Sequence, residues 1–219
     1  MLPNIIATLV SVSFLTVGGP MVPPQVFETT LASHEISLNN RYPVQSVSDI
    51  FRDNILLNLS YLNGDVKGAK DVNWDEIKKT KTIQFKLNPG ETFAYHDLVL
   101  PEYKQSLPGE SGKGRIAKTT NAHFNYAEGF KSDGYLVGDG VCHLASLMYW
   151  VAKDAGLQIA NKVPHDFMAI PEIEKANGVS IHSGSATQNL YITNNKEYPV
   201  EFKFEYDGTN LKLSIVELN

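Results

Sequence analysis

From Val200 to Tyr206 apolar and charged side chains alternate without a break: Val200, Phe202, Phe204 and Tyr206 share one face, and Glu201, Lys203 and Glu205 take the other. That period of two belongs to a strand with one face buried and one wet, the signature of an antiparallel sheet. Asp207-Gly208 supplies a hairpin turn, and Leu211 to Leu218 supplies the returning strand. Asn189 to Thr193 reads as a third strand. The pattern upstream is helical without a βαβ rhythm, so the expected class is α+β.

The first strong helical period runs through Val47, Ile50, Phe51, Ile55, Leu59 and Leu62, and Asn63-Gly64 ends it. Ser46, with Asp49 three residues on, is the expected cap. A short helical piece is expected from Val72 to Lys79, with Trp74 and Ile77 inward. Thr82 to Leu87 alternates as a strand and Asn88-Pro89-Gly90 turns the chain. Residues 101–140 are rich in Gly and Pro and read as long loops, which in a compact domain tend to carry function.

The first charged residue of the chain is Glu28. Ahead of it, an apolar run from Ile5 to Val17 is closed by Gly18-Gly19-Pro20. Residues 1–22 therefore resemble a signal peptide or a membrane anchor, although the Lys or Arg expected before the apolar run is missing. Thr8, Ser11, Ser13 and Thr16 interrupt the run, so a buried strand is the alternative. Residues 23–45 then read as a linker, and residues 46–219 as the folded domain. On this reading the protein is exported, to the cell envelope or tethered outside the cytoplasmic membrane.

Charge and cysteine content exclude several classes. The 219 residues carry a formal net charge of −5, so a surface that tracks nucleic-acid phosphates is not expected. One cysteine cannot build a disulfide framework or a CxxC zinc site. A chain of this length can bury a core without metals, and no cofactor is called for.

Chemistry, if the chain performs any, centres on Gly138-Asp139-Gly140-Val141-Cys142-His143-Leu144-Ala145-Ser146. The glycines lead into a helix whose apolar stripe is Val141, Leu144, Ala145, Met148, Val151, Ala152 and Ala155, closed by Gly156 and Leu157. This central helix, starting at a Gly-rich turn, is expected to pack on the antiparallel sheet. Cys142 falls in its first turn, where unpaired N–H groups and the helix dipole favour a thiolate. His165 follows at the start of a possible strand. A Cys-before-His order of this kind is used by papain-like and transglutaminase-like enzymes, and it activates a thiol if the two side chains meet.

A lone Cys beside Val and Leu can equally be inert packing. Zinc held among Cys142, His143, His165 and His182 is a further alternative, although adjacent Cys142 and His143 point to different helix faces. His34, His96 and His123 show no partner pattern. Asn58-Leu59-Ser60 matches a glycosylation triplet inside the expected first helix.

Five segments in order resemble the VanW-like family: Leu87-Asn88-Pro89-Gly90-Glu91-Thr92-Phe93, Gly138-Asp139-Gly140-Val141-Cys142, Ala155-Gly156-Leu157, Pro164-His165, and Asn194-Asn195-Lys196-Glu197-Tyr198-Pro199-Val200. The resemblance spans about residues 47 to 205. Three departures stand out: Asp139 replaces a central glycine, His143 a glutamine, and Asp166 a serine. Where the family often carries an acidic residue, the best match here is Asn177. The resemblance implies a bacterial, exported or membrane-anchored protein with a cell-envelope role, acting on or binding cell-wall peptide or glycan. Two functions follow from residues and resemblance together. In one, Cys142 is the nucleophile of an amide hydrolase or acyl transferase, His165 its base and Asn177 the residue that orients His165. Gly138, Gly140 and His143 would contact the substrate and the Cys142 N–H would help to hold an oxyanion. In the other, the domain is a non-catalytic envelope module and Cys142 is structural.

Overall fold

The computed structural model describes residues 27–104, 115–160 and 163–219. The expected leader, residues 1–22, lies outside them. Among the described residues eight strands are present: β1 (Glu28–Ser37), β2 (Lys81–Leu87), β3 (Glu91–Ala94), β4 (Arg115–Lys118), β5 (Gln158–Ala160), β6 (Tyr191–Thr193), β7 (Val200–Tyr206) and β8 (Asn210–Leu218). Four α-helical segments accompany them: α1 (Gln45–Asn63), α2 (Trp74–Ile77), α3 (Pro101–Lys104) and α4 (Val141–Asp154). The fold is α+β, as the patterning required.

The strands form two four-stranded sheets, ordered β1-β8-β7-β2 and β4-β3-β6-β5. The first is antiparallel throughout. In the second only the β3–β4 pair is parallel. The C-terminal hairpin forms as expected, with Tyr206 opposite Leu211 and the Asp207 carboxylate accepting from the Thr209 and Asn210 amides. Val200, Phe202, Phe204 and Tyr206 are buried and the residues between them are not. Phe85 of β2 stacks on Phe202 at 4.6 Å between ring centroids, which joins the edge of this sheet to the core.

Two segments depart from the sequence-based expectation. Residues 28–37, inside the stretch expected to be a linker, form the edge strand β1, paired with β8 from Glu28↔Leu218 to Ser37↔Asn210. The folded unit therefore begins well before residue 46. Helix α1 starts at Gln45 after Val44, which makes no side-chain cap, so Ser46 does not cap it. Ser48 is drawn elsewhere: its hydroxyl accepts from the Arg41 amide at 2.9 Å and donates to the Asn39 carbonyl at 3.0 Å. The helix does end at Gly64, as expected.

Helix α4 packs on β1, β8 and β5, and α1 packs on α4. α1 is buried along most of its length, polar residues included. Asn54 explains one of them. Its amide donates to the Lys131 and Asp139 carbonyls, and its carbonyl accepts from the Lys131 amide at 2.8 Å. This side chain holds the loop that leads into α4. Asn58, the glycosylation-triplet residue, is fully buried and so is not an acceptor surface in the folded protein.

Two of the sequence motifs meet in the scaffold. The Asn194 amide donates to the Leu87 and Tyr198 carbonyls, while its backbone N–H reaches the Glu91 carbonyl. Glu91 in turn accepts from the Asn88 amide at 2.8 Å, closing the Asn88-Pro89-Gly90 turn. These motifs shape the frame and do not line the cavity described next.

Candidate functional site

A cavity of about 350 Å³ opens at the N-terminus of α4. Asp133 and residues 135–143 line one part of it, Tyr42, Phe51 and Phe124 another, and His165, Phe167, Met168, Ile181 and His182 the rest. Cys142, His143, Gly138, Gly140 and His165 thus line one cavity. Asn177 is not in its lining.

The approach to α4 explains its glycines. Gly140 has φ 97°, and a Cβ there would lie 2.5 Å from the Phe51 carbonyl oxygen. Gly138 has φ 86°, and a Cβ would meet the Phe124 side chain at 2.9 Å. Both positions need glycine for backbone conformation and for close packing of this loop on α1 and Phe124. Close approach to a substrate is not what demands them, although both still border the cavity.

Cys142 is half-buried in the cavity wall. Its sulfur accepts a hydrogen bond from the Ile181 amide at 3.4 Å. Among the described residues no hydrogen bond joins it to His165. Burial pushes its thiol above the ordinary cysteine range, the nearby Asp139 charge adds to this, and the Ile181 bond offsets part of it. The first-turn position was expected to favour a thiolate, and desolvation outweighs it here.

Four residues further along the helix, Ser146 makes the matching contact. Its hydroxyl accepts from the Val179 amide at 2.8 Å and donates to the Cys142 carbonyl at 2.7 Å. Four residues of helix rise about 6 Å and two extended residues about 6.6 Å, so Cys142 and Ser146 meet Ile181 and Val179 in step. The extended segment 179–181 is docked on α4 through this pair. Ser146 closes the run on which the sequence centred the chemistry, but nothing in the sequence assigned it a role.

His165 is buried, and its Nδ1 donates to the Met168 carbonyl at 3.0 Å. That bond fixes the neutral tautomer with Nε2 as the bare acceptor. Burial lowers its pKa, and the Met168 bond counters this in part. The partner of the His165 Nδ1 is therefore the Met168 carbonyl and not Asn177. Asn177 is buried elsewhere, where its carbonyl accepts from the Lys153 ammonium at 3.1 Å.

His143 is 1% exposed, and neither ring nitrogen has a hydrogen-bond partner. Its ring lies 4.9 Å from that of Phe51 and 6.2 Å from that of His165, centroid to centroid. Burial, then the Arg41 charge and the neighbouring His165, hold its pKa down at about 3, so it is a neutral imidazole at any physiological pH. Asp139, whose Oδ2 accepts from the Asp133 amide at 3.1 Å, is raised to about 6, chiefly by burial. Among the described residues no group of three or more His, Cys, Asp or Glu side chains is arranged to hold a metal ion, so the zinc alternative finds no ligand set there.

The outer part of the cavity is apolar and open. Tyr135 is 92% exposed, Leu136 60% and Phe167 67%, and all three belong to its lining. Contiguous exposed apolar side chains beside a cavity with a few polar groups are what a binding site presents.

Residues 116–216 match the family model described as VanW like protein. Over that stretch the chain is similar to the VanW-like family. The matched region holds four of the five segments that resemble the family and every residue of the candidate site from Gly138 to Asn177, whereas the Leu87–Phe93 segment lies outside it. Comparison with curated proteins and with solved structures finds no match. Among the described residues no helix is long and apolar enough to cross a membrane.

Proposed function

We propose that this VanW-like chain is an exported cell-envelope protein that binds cell-wall peptide or glycan in the cavity at the start of α4. The family match supports a cell-envelope-related protein. The observation that carries the binding reading is the cavity itself: buried neutral imidazoles inside, exposed Tyr135, Leu136 and Phe167 outside, in one continuous lining. In this reading Cys142 belongs to the frame, because its sulfur is the acceptor that docks segment 179–181. Titrating full-length protein with soluble wall digests, followed calorimetrically, tests it. Saturable binding that Phe167→Ala weakens is expected, and no binding of any fraction overturns it. Export is tested by fractionating the native host; protein confined to the cytosol with Met1 intact would contradict it.

One observation favours a second reading, a cysteine-dependent amide hydrolase or acyl transferase. His165 and Cys142 line the same cavity, and the Met168 bond leaves His165 Nε2 as a bare acceptor. Closure of the cavity on a substrate would then have to bring that nitrogen to the sulfur. Release of amine or fragment exchange from wall peptides, lost in Cys142→Ser, would establish it. Binding without turnover leaves the first reading in place.

A further inference from the structure

The inference deepens the binding reading above and rests on it. His143 and His165 supply the imidazoles of the cavity's buried part, their ring centroids 6.2 Å apart. A neutral imidazole carries one donor and one acceptor, and both of His143's are unmet in a buried position. Buried polar groups in native proteins are nearly always paired, and an unpaired one in a cavity wall points to a ligand.

The chemistry around it narrows that ligand. Among the described residues no Lys or Arg lines the cavity, and its carboxylates, Asp133 and Asp139, would repel an anion. Arg41, near enough to disfavour protonation of His143, is held by Glu172 at 2.9 Å and is not in the lining. Asp139 is already engaged by the Asp133 amide and is not free to hold a cation alone. A sugar would bring many hydroxyls, and those set against Phe51, Phe124, Val137 and Met168 would go unpaired. An amide brings one acceptor and one donor flanked by apolar carbon, and adjacent amides in a chain can meet the two diverging ring nitrogens.

We propose that the His143 end of the cavity takes an uncharged peptide segment, the ring donating to one amide carbonyl and accepting from a neighbouring amide N–H. His165 Nε2 stands beside it as a further acceptor. His143 is then a specificity-determining residue for peptide over glycan and for a mid-chain segment over a charged terminus.

The test uses full-length protein and four probes: N-acetyl-dialanine methylamide, the same dipeptide with a free carboxylate, the same with a free amine, and maltotriose. Binding is followed by calorimetry and by the ¹⁵N resonances of the histidine rings in the wild-type protein. The doubly capped probe should bind at least fivefold tighter than the other three and shift both His143 nitrogens. His143→Phe should weaken it at least tenfold at an unchanged fold, judged by thermal unfolding, and His143→Gln should restore part of the loss. The ring resonances give an answer even if a variant does not fold. Tighter binding of the acid, the amine or maltotriose, or His143 nitrogens that do not move, overturns the inference while the cavity still binds. If neither the probes nor wall digests perturb any cavity residue, the binding reading itself fails.

Discussion

Ile181 donates its backbone N–H to the sulfur of Cys142 at 3.4 Å, and this contact, with Ser146 accepting from Val179 one helical turn away, pins an extended segment to α4. A cysteine at the start of a helix usually suggests an activated nucleophile. Here burial has the larger effect on the thiol and raises its pKa. Alkylation of the folded protein by iodoacetamide at pH 7 should therefore be slower than that of a free thiol, since the thiolate is the reactive form. Mass spectrometry across pH 6–10 should give an apparent pKa above the ordinary cysteine value. A fast thiol titrating well below it would favour the catalytic reading.

The same docking contact sets an order among substitutions. Cys142→Ser keeps an acceptor for the Ile181 amide and should cost under about 1 kcal/mol. Cys142→Val and Ser146→Ala each strand a backbone N–H and should cost about 1–3 kcal/mol. Chemical denaturation checks the series; equal losses for Ser and Val at position 142 would mean that the Ile181 bond contributes nothing.

His143 should behave as a group kept at the expense of stability. Its two unmet nitrogens are buried beside Phe51, so His143→Phe should stabilise the unliganded protein by about 1–2 kcal/mol, provided the ring fits. The same change should weaken ligand binding. A destabilised His143→Phe protein with native packing would argue that the imidazole is satisfied in the free protein.

Gly140 offers a sharper test of the loop. A methyl group there meets the Phe51 carbonyl at 2.5 Å and the backbone sits at φ 97°, so Gly140→Ala has two independent penalties. The expected loss is about 3 kcal/mol or more, seen as a lower midpoint in denaturant. A near-neutral Gly140→Ala would show that this loop shifts easily away from α1.

What the sequence disclosed follows from how local each signal is. The β7–β8 hairpin was legible because strict alternation and Asp207-Gly208 encode it within nineteen consecutive residues. β1 was not, because its ten residues show no clean period and only the partner strand β8 makes them a strand. The cap was misassigned to Ser46 because the helix already starts at Gln45 after Val44, so Ser46 lies inside the first turn. The site's position could be read from the Gly-Asp-Gly-Val-Cys run and from His165, and both lie in the cavity. Their partners could not. Ile181 and Met168 act through backbone atoms, which leave no trace in side-chain identity. Asn177 was matched on residue type alone, and its pairing with Lys153 depends on where α4 crosses that segment.

Asp139 provides the pH-dependent prediction. Burial raises its folded-state pKa to about 6, above the unfolded value of about 3.9. A carboxyl shifted upward binds its proton more tightly in the folded state, so its contribution favours folding below the unfolded pKa. That contribution is lost as pH rises between about 4 and about 6, and above this window the folded state carries the cost of a partly buried charge. Asp139→Asn keeps a side-chain oxygen for the Asp133 amide and removes the titration. Relative to the wild type, the variant should gain about 1–2 kcal/mol between pH 4 and pH 7, after allowance for partial exposure. Urea unfolding of both proteins at half-unit pH steps measures that difference. A difference that stays flat across the window, or that shrinks as pH rises, would show that the carboxylate is no less favourable in the folded cavity than in water.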